Sequence, residues 1–338
     1  MINGDFKLKK TIISLVKIPD LIISQVYLNF FQEKNSLIIF ALHGLFQNEE
    51  EIKQKIVDPQ TWLTVDQFSQ FIEHYKSHNY TFVSPDDILN GLSSDKKYAM
   101  ITFDDGYYNN KHALPFLKKY HIPAVFFISS DNIKENKCFW WDVLYRERIK
   151  SKKTLGHIKK EKNQLKLKTN AEIEKYLKDI FGKKSFLPKS DIDRPFNVSE
   201  LKDFSNEKYV FLGNHTSSHG ILTNYTPNKI KSQIINAQND IQDITGINPI
   251  SISYPDGKYS DKVIKIAKEN GIKIGLTMDY RKNCLPLDSH SSNLMHLGRF
   301  DLSGSGNFKR QCELFRSDIL LYAYVCNLLN KNKKRLLH

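Results

Sequence analysis

Two adjacent carboxylates at the end of an apolar segment are the first residues with clear chemical potential. Asp104 and Asp105 follow the segment Tyr98–Phe103 and precede Gly106. That segment is apolar or β-branched, which predicts a short buried strand. Successive side chains of a strand point in opposite directions, so a carboxylate pair at its end could serve two roles. Asp-Asp-Gly is also common turn chemistry, so a purely structural turn is the alternative for these residues alone.

Two histidines four residues apart form a second candidate group. His215 and His219 follow another predicted strand, at residues 209–212. On a helical turn this spacing would place both rings on one face, which suits two ligands of one metal ion. Together with a strand-end carboxylate they would form a two-histidine, one-carboxylate site with open positions for water and substrate. Two unrelated surface histidines are the alternative, since the chain contains 11 histidines.

Strands and helices alternate around these residues. The helix over 64–75 begins with a capping box formed by Thr64 and Gln67, and a further helix begins at Ser84 with Pro85 in its first turn. This alternation predicts parallel βαβ organisation and an α/β fold. Buried strands are predicted at residues 36–42, 98–103, 124–129, 209–212, 250–254 and 272–276.

Polar residues follow the ends of four predicted strands. They are His43, the Asp104–Asp105 pair, the segment His215–His219 and the segment Pro255–Gly257. In parallel α/β folds the carboxyl ends of the strands form the catalytic edge. This placement favours a functional role over simple turn chemistry.

The sequence divides into a central domain with two flanking segments and one insertion. We expect an amphipathic helical segment at 1–35, a catalytic domain at 36–305, and a C-terminal helix with a basic tail at 306–338. A lysine-rich helical insertion at about 131–197 interrupts the domain, and its aromatic residues at 139–144 predict a cap on the main domain. The apolar run at 11–31 is interrupted by Lys17, Pro19 and Asp20, which argues against both a spanning helix and a signal peptide. It would either pack on the domain or rest on a membrane face.

Composition limits the class of partner. The 338-residue chain has 40% hydrophobic residues and a formal net charge of +13, which predict a packed core and an acidic partner. The charge would suit an anionic membrane or a diphosphate-linked sugar, although solvated basic faces are an equal alternative. No nucleic-acid-binding motif is recognisable, so no nucleic-acid partner is expected. Cys138, Cys284, Cys312 and Cys326 are widely spaced, which predicts reduced thiols and a cytoplasmic location, with peripheral contact at the inner membrane face left open.

Three motifs in this order make the sequence resemble the polysaccharide deacetylases, the chitooligosaccharide-deacetylase-like group known as carbohydrate esterase family four. The motifs are Thr102–Gly106, His215–His219 and Tyr254–Gly257. The segment Pro115–Phe127 is also similar to the helix and strand that follow the family's first motif. The resemblance covers roughly residues 37–301, and Leu42-His43 and the segment at 140–142 look like the branch found with bacterial surface-polysaccharide synthesis.

The resemblance implies a fold and a set of roles. The fold would be a distorted (β/α) barrel with fewer than eight strands, here with a helical insertion. Asp105, His215 and His219 would hold a divalent metal ion, usually Zn²⁺. Asp104 would be the catalytic base. A backbone N–H near Asp256 would stabilise the oxyanion, within the substrate-contacting motif formed by Tyr254, Pro255, Asp256 and Gly257.

The sequence departs from the family pattern at two places. Ser253 stands where the family often has an arginine that orients the catalytic aspartate, and Arg299 is the candidate replacement from another strand. The general acid is open between His296, in a late Leu-x-His motif, and His43 at a strand end.

The expected function is metal-dependent hydrolysis of an N-acyl group, with acetyl as the expected group, from an amino sugar in a glycan, glycolipid or sugar-nucleotide precursor. A non-catalytic carbohydrate-binding relative is one alternative, favoured by Ser253 in place of the arginine. A basic membrane-associated assembly protein is the other.

Overall fold

The computed structural model of the chain describes residues 20, 22–59, 62–304 and 307–319. Each predicted strand forms within these ranges, with ends that differ by a few residues. The strands are β1 (Leu37–Leu42), β2 (Leu45–Phe46), β3 (Leu63–Thr64), β4 (Tyr80–Phe82), β5 (Lys97–Phe103), β6 (Ala124–Ile128), β7 (Val210–Asn214), β8 (Ser251–Ser253), β9 (Ile274–Leu276) and β10 (Phe300–Asp301).

Helices connect the strands, as the alternation predicts. They are α1 (Glu49–Lys53), α2 (Val65–Ser77), α3 (Pro85–Asn90), α4 (Leu114–Tyr120), α5 (Ser130–Glu135), α6 (Trp140–Lys150), α7 (Leu155–Leu165), α8 (Asn170–Phe181), α9 (Val198–Ser205), α10 (Pro227–Thr245), α11 (Asp261–Glu269) and α12 (Phe308–Arg316). Residues 22–30 are also helical, and short 3₁₀ turns lie at Tyr108–Ala113, Lys183–Phe186, Leu222–Asn224, Pro255–Gly257 and Leu294–His296. The predicted capping box of α2 is present, and Ser84, the predicted cap of α3, forms a second capping box with Asp87.

Seven strands lie side by side in the order β10-β1-β5-β6-β7-β8-β9, and every pair is parallel. β4 adds a further parallel strand beside the first half of β5. β2 and β3 form a separate parallel pair. This curled sheet with surrounding helices is the predicted distorted (β/α) barrel, since all the carboxyl ends of its strands lie at one edge.

The segment around Arg299 connects the two edges of the sheet. Leu297 forms a parallel bridge with Leu276 of β9, and its carbonyl accepts a hydrogen bond from the N–H of Thr277 at 2.9 Å. Three residues later Phe300 pairs with Phe40 of β1. Residues 297–301 therefore connect strands that are far apart in the sheet. This path carries the Arg299 side chain across the barrel interior.

Alternate residues of the strands face the two sides of the sheet. Leu37, Met100 and Leu276, from β1, β5 and β9, belong to one apolar cluster. Since β9 is not a neighbour of β1 or β5 in the sheet, this cluster fills the concave side. Phe40 and Phe103 instead pack with the residues of α2, in the layer between the sheet and the helices.

The helical insertion has its own apolar cluster, which contains Tyr107 together with aromatic residues of α6 such as Trp141 and Phe139. Tyr107 lies two residues after Asp105, so this cluster joins the insertion to the mouth of the barrel.

In the described part of the predicted C-terminal segment at 306–338, α12 ends at Arg316 and the exposed Ile319 lies beyond it. Residues 320–338 and, in the predicted N-terminal helical segment at 1–35, residues 1–19 and 21 lie outside the described residues. Cys312 and Phe315 of α12 belong to the main core. Among the helices that the structure describes, none is both long and apolar enough to cross a membrane.

Candidate metal centre and active site

Asp104 lies at the mouth of the barrel because of strand alternation. Met100 of β5 faces the concave side, and Thr102 and Asp104 follow it at intervals of two residues. Arg299 meets the carboxylate there with two parallel hydrogen bonds, from Nη1 to Oδ1 at 2.8 Å and from Nη2 to Oδ2 at 2.9 Å. The guanidinium is fully buried. Such bidentate pairing fixes both the position and the plane of a carboxylate.

Ser253 and Thr102 complete the support of this pair. The Ser253 hydroxyl donates to Asp104 Oδ2 at 3.0 Å and accepts from Arg299 Nη2 at 2.8 Å. Arg299 Nη1 also donates to Thr102 Oγ1 at 3.0 Å, and its Nε donates to the carbonyl of Thr277 at 3.1 Å. The structure thus brings the predicted arginine to the aspartate, and the serine found in the arginine's usual place belongs to the same network.

Asp105 leaves the strand pattern through an unusual backbone conformation. Simple alternation would point its side chain away from Asp104, toward the helices that cover Phe103. Its φ of 78°, followed by 89° at Gly106, ends the strand instead. Glycine is suited to the second position because it adopts positive φ without the clash of a Cβ atom.

Asp105, His215 and His219 come together at this edge. Asp105 Oδ1 lies 3.3 Å from Nε2 of His215 and 3.3 Å from Nε2 of His219. Two ligand atoms that sit about 2.0–2.1 Å from a tetrahedral zinc ion are separated by roughly 3.4 Å. The two separations from Asp105 therefore match the spacing of ligands in a tetrahedral site, and the ligand atoms of all three side chains lie within 4.8 Å of one another.

The hydrogen bonds of Asp105 and His215 are also those expected of metal ligands. Neither carboxylate oxygen of Asp105 has a hydrogen-bond partner among the described residues, although both are buried. His215 Nδ1 lies 2.8 Å from the Ser253 carbonyl, to which it would donate, and this leaves Nε2 as the free lone pair. A histidine ligand is normally oriented in this way by its second nitrogen. The donor set thus fits a divalent cation.

The helical turn expected for the two histidines is wrong. Residues 215–220 form an irregular loop, and both Thr216 (φ 65°) and His219 (φ 52°) have left-handed backbone conformations. Asn214 Oδ1 accepts from the N–H of Thr216 at 2.8 Å, and Thr216 Oγ1 accepts from the N–H of Gly220 at 2.8 Å. These side-chain contacts, not helical hydrogen bonds, fold the loop so that the rings converge at a centroid distance of 4.7 Å.

The two carboxyl groups are both held ionised. Burial by itself would raise the pKa of Asp104, but Arg299, His215 and His43 outweigh it and lower the pKa to about 2. Burial likewise opposes the charged form of Asp105, and the neighbouring His215 and His219 hold its pKa well below the usual range. The mouth of the barrel therefore concentrates negative charge where a cation would bind.

A ring from the helical insertion covers one of the histidines. The rings of Trp141 and His219 lie 4.5 Å apart. Trp141 Nε1 donates to the Tyr107 hydroxyl at 2.9 Å, which in turn donates to Asp142 Oδ2 at 2.6 Å. Asp142 Oδ1 accepts from the N–H of Asp58 at 2.7 Å. A small pocket on this side is lined by His43, Phe46, Asp58, Trp62, Tyr107 and Trp141.

The third motif, Tyr254–Gly257, lies at the same edge of the sheet. Its residues differ in which groups could contact a substrate. Tyr254 is fully buried, and its hydroxyl donates to the Met295 carbonyl at 3.0 Å, so its side chain is part of the core. The N–H groups of Tyr254 and Gly257 donate to the carbonyls of Leu276 and Tyr254. Pro255 has no N–H, which leaves Asp256 as the donor to consider. The carboxylate of Asp256 pairs with Lys166 just after α7 of the insertion.

The two candidates for the general acid lie in different places. His43 follows β1 and lies close enough to Asp104, Asp105 and Asp301 for its charge to act on all three carboxyls. His296 instead lines a surface pocket with residues of α11, and its carbonyl accepts from Arg281. The structure therefore brings His43 to the site but not His296.

Sequence reasoning missed several neighbours of the site. Asp301 is partly buried, accepts a hydrogen bond from Tyr280 at 2.8 Å and lies near His43. Burial raises its pKa, against the opposing effect of His43. Asp301 lies two residues after Arg299, so strand alternation could have predicted that both side chains face the same side of the sheet. The contact of Trp141 with His219 had no such signal, because 78 residues separate them and most form the insertion.

Comparison with known proteins gives one family and a group of structures of similar fold. The sequence profile described as "Polysaccharide deacetylase" matches residues 91–275, more than half of the 338-residue chain. A curated relative is YxkH from Bacillus subtilis (strain 168), whose name gives it only provisionally as a polysaccharide deacetylase. It is 22% identical over 218 residues, which cover 63% of this chain and 57% of YxkH. The match thus spans little more than half of that relative's length.

Two solved structures illustrate the similarity of fold. The Streptococcus pyogenes deacetylase PplD, solved in complex with acetate, is 17% identical, with a TM-score of 0.54 and coverage of 83% of this chain and 99% of PplD. The polysaccharide deacetylase BC0361 from Bacillus cereus is 15% identical, with a TM-score of 0.56 and coverage of 83% and 69%.

Proposed function

The chain belongs to the polysaccharide deacetylase family, and from this premise we propose that it is a metal-dependent hydrolase that removes the N-acetyl group from an amino sugar. The substrate would be a polysaccharide, a glycolipid or a sugar-nucleotide precursor, used in making a cell-surface polysaccharide. One observation carries the proposal: a carboxylate held by Arg299 lies next to the convergent group of Asp105, His215 and His219. An ordinary turn needs neither feature.

Asp105, His215 and His219 would hold the metal ion, and two nitrogens with one oxygen at these spacings suit Zn²⁺ best. When bound, such an ion supplies Lewis-acid activation of water and of the substrate carbonyl. The buried, unpartnered oxygens of Asp105 support this assignment, because a buried carboxylate without any partner would be costly.

Asp104 would accept the proton of the attacking water. Arg299 and Ser253 occupy one side of the carboxylate and fix its orientation, and the low pKa keeps it ionised at any working pH. A base that is already positioned needs little reorganisation when the reaction occurs. Arg299 acts here as a positioning residue, since it touches the base and not the substrate.

His43 would donate a proton to the leaving amine. An amine is a poor leaving group unless it is protonated, so amide hydrolysis needs an acid on that side. His43 lies at the strand-end edge beside both carboxylates and lines the pocket that Trp141 also lines. His296 instead lines a separate surface pocket with residues of α11, so His43 is the better assignment of the two expected candidates.

The developing oxyanion would be met by the N–H of Asp256. The other N–H groups of the third motif already have backbone acceptors, and Pro255 has none to offer. The positive φ of Asp256 (55°) sets the direction of this peptide. Lys166 of the insertion holds the Asp256 side chain and so supports the turn.

Ser253 no longer favours a protein that only binds carbohydrate. That alternative rested on the serine standing in place of an arginine, and here Arg299 supplies the guanidinium. The cytoplasmic location and the contact with an anionic membrane stay proposals that rest on cysteine spacing, charge and an N-terminal segment that is largely outside the described residues.

Amine release from an N-acetylglucosamine oligomer tests the function directly. The untagged chain is stripped with a chelator and assayed with and without added Zn²⁺, beside a variant with both His215→Ala and His219→Ala. We expect release that depends on the metal and is lost in the double variant. Equal release with and without metal would contradict the metal-dependent mechanism, and no release from this oligomer, sugar nucleotides or lipid-linked sugars would contradict the enzyme itself.

A further inference from the structure

A second group of potential metal ligands lies where α2 meets the C-terminal helix. His74 and His78 are four residues apart at the end of α2, and Glu313 faces them from α12. Potential ligand atoms of the three side chains all lie within 4.8 Å of one another. None of these residues contacts the carboxylates or histidines of the catalytic edge in the described structure. We propose that His74, His78 and Glu313 bind a second transition-metal ion, of the Zn²⁺ class, that fastens α12 to the barrel.

His74 supplies the first argument. Its Nε2 atom is buried and has no hydrogen-bond partner among the described residues. The closest carboxylate atom, Glu313 Oε1, lies 3.5 Å away. That is long for a hydrogen bond but close to the separation of roughly 3.4 Å between two ligands of a tetrahedral zinc ion. A metal ion would therefore satisfy an atom that the protein alone leaves unpaired.

His78 is oriented as metal-bound histidines usually are. Its Nδ1 lies 2.7 Å from the carbonyl of His74, to which it would donate, so that Nε2 keeps the lone pair. The two rings lie side by side with their centroids 4.5 Å apart. Two histidines with i, i+4 spacing on one helix are a common way to bind zinc.

Glu313 has one oxygen occupied and one available. Arg316 Nη1 donates to Oε2 at 2.8 Å, while Oε1 faces His74. Arg316 also pairs with Glu33, at 3.1 Å and 3.2 Å, so its charge is shared between two carboxylates. A hydrogen-bonded second oxygen is the usual support for a carboxylate ligand.

The site would have a structural consequence. α12 already packs on α2 and buries Cys312 and Phe315 in the main core. A metal ion at this place would join residues more than 200 positions apart in the sequence and restrict the unfolded chain. The positive charges of Arg316 and Lys309 also act on His74 and oppose binding of a cation, and Lys309 is the one of the two that is not paired with Glu313.

Metal stoichiometry tests the proposal independently of activity. The full-length untagged chain is stripped with a chelator, loaded with Zn²⁺, desalted and measured by mass spectrometry of the metal. We expect two equivalents in the wild type, one in His78→Gln, one in Glu313→Gln, and one in the variant with both His215→Ala and His219→Ala. Combining His78→Gln with that double variant should leave none. His290→Gln, at an exposed position, is the matched control and should keep two.

Two further measurements keep the result decisive if a variant is less stable. Lys309→Gln should bind the second equivalent several-fold more tightly in competition with a chromophoric chelator, because it removes the opposing charge. Zn²⁺ should raise the melting temperature of the variant with His215→Ala and His219→Ala, but not when His78→Gln is added. One equivalent in the wild type with no change in His78→Gln would overturn the proposal and leave the catalytic centre as the site. One equivalent in the wild type that is kept in the variant with His215→Ala and His219→Ala, but lost in His78→Gln, would instead count against the proposed function.

Discussion

Arg299 meets Asp104 across 195 positions of sequence through two parallel hydrogen bonds of 2.8 Å and 2.9 Å. The arginine lies in the segment that pairs with β9 at Leu297 and with β1 at Phe300. The same backbone that connects the two edges of the sheet therefore delivers the guanidinium to the proposed base. In this chain the orientation of the Asp104 carboxylate depends on how the barrel is closed.

Replacement of Arg299 should reduce catalysis strongly. In Arg299→Met we expect kcat/KM to fall by about 100-fold or more, because a misplaced base costs that much even without loss of the group itself. The acid limb of the pH–rate profile should move to higher pH, since the guanidinium is a main cause that lowers the pKa of Asp104. Arg299→Lys keeps a charge but loses the bidentate geometry and should be intermediate.

Arg310→Lys, at an exposed position of α12, is the control for these variants and should be unchanged. A pH profile identical to that of the wild type in Arg299→Met would show that the arginine has only a structural role.

Loss of the Ser253 hydroxyl should have a smaller effect. Ser253→Ala removes one of the three hydrogen bonds to Asp104 and leaves the arginine in place. A hydrogen bond to a charged group contributes about 1.5 kcal/mol, so kcat should fall roughly tenfold. Ser251→Ala is a matched control in the same strand, because its hydroxyl is buried without a hydrogen-bond partner in the described structure. Equal effects of the two substitutions on kcat would contradict the role given to Ser253.

Replacement of His43 should lower the rate most for substrates whose leaving group must be protonated before it departs. His43→Gln should lower deacetylation of an N-acetyl amino sugar by about 10²–10⁴-fold, the usual contribution of a general acid. It should slow hydrolysis of an aryl acetate far less, because a phenolate leaves without prior protonation. His296→Gln serves as the comparison and should leave both reactions near the wild-type rate. A large loss in His296→Gln, or equal losses for both substrates in His43→Gln, would remove His43 from this role.

Glu33 should make the stability of the protein dependent on pH. Burial raises the pKa of this carboxyl, but Arg316 and Lys97 outweigh it and lower the pKa below the usual value. The folded state therefore binds the proton less readily than the unfolded state. The stabilisation is complete above the unfolded pKa of about 4.3 and is lost as the pH falls through the lower folded pKa.

Urea unfolding of Glu33→Gln and the wild type measures this effect. At pH 7 the variant should be less stable by about 1–3 kcal/mol, and the difference should shrink at pH 3. Glu50→Gln, in an exposed pair with Lys53, should show little difference at either pH. A difference for Glu33→Gln that does not change with pH would contradict the ionic account.

Much of the fold could be predicted from local patterns. The apolar segments before His43, Asp104 and His215 predict strands because buried parallel strands are apolar throughout. The capping box at Thr64 and the cap residue Ser84 likewise predict the starts of two helices. Parallel alternation then places the polar residues at one edge. The family resemblance added the barrel, which the sequence profile and the structures of similar fold confirm.

The geometry of the site was less accessible from sequence. The loop at His215–His219 is not helical, because Asn214 and Thr216 hold it through side-chain hydrogen bonds that no periodicity reveals. The contact of Trp141 with His219 depends on how the insertion packs. A short Leu-x-His match at His296 carries no three-dimensional information, and its ring faces α11. Roles assigned to individual residues stay predictions until variants are measured.

Asp104→Asn separates the proposed base from the metal ligands, because it removes the carboxylate and leaves Asp105, His215 and His219 in place. Amine release from an N-acetylglucosamine oligomer and bound Zn²⁺ are measured on the same preparation. We expect turnover to fall by about 10²–10⁴-fold or more while the metal content stays that of the wild type. Retained deacetylation, or loss of turnover together with loss of the metal at His215 and His219, would contradict this expectation.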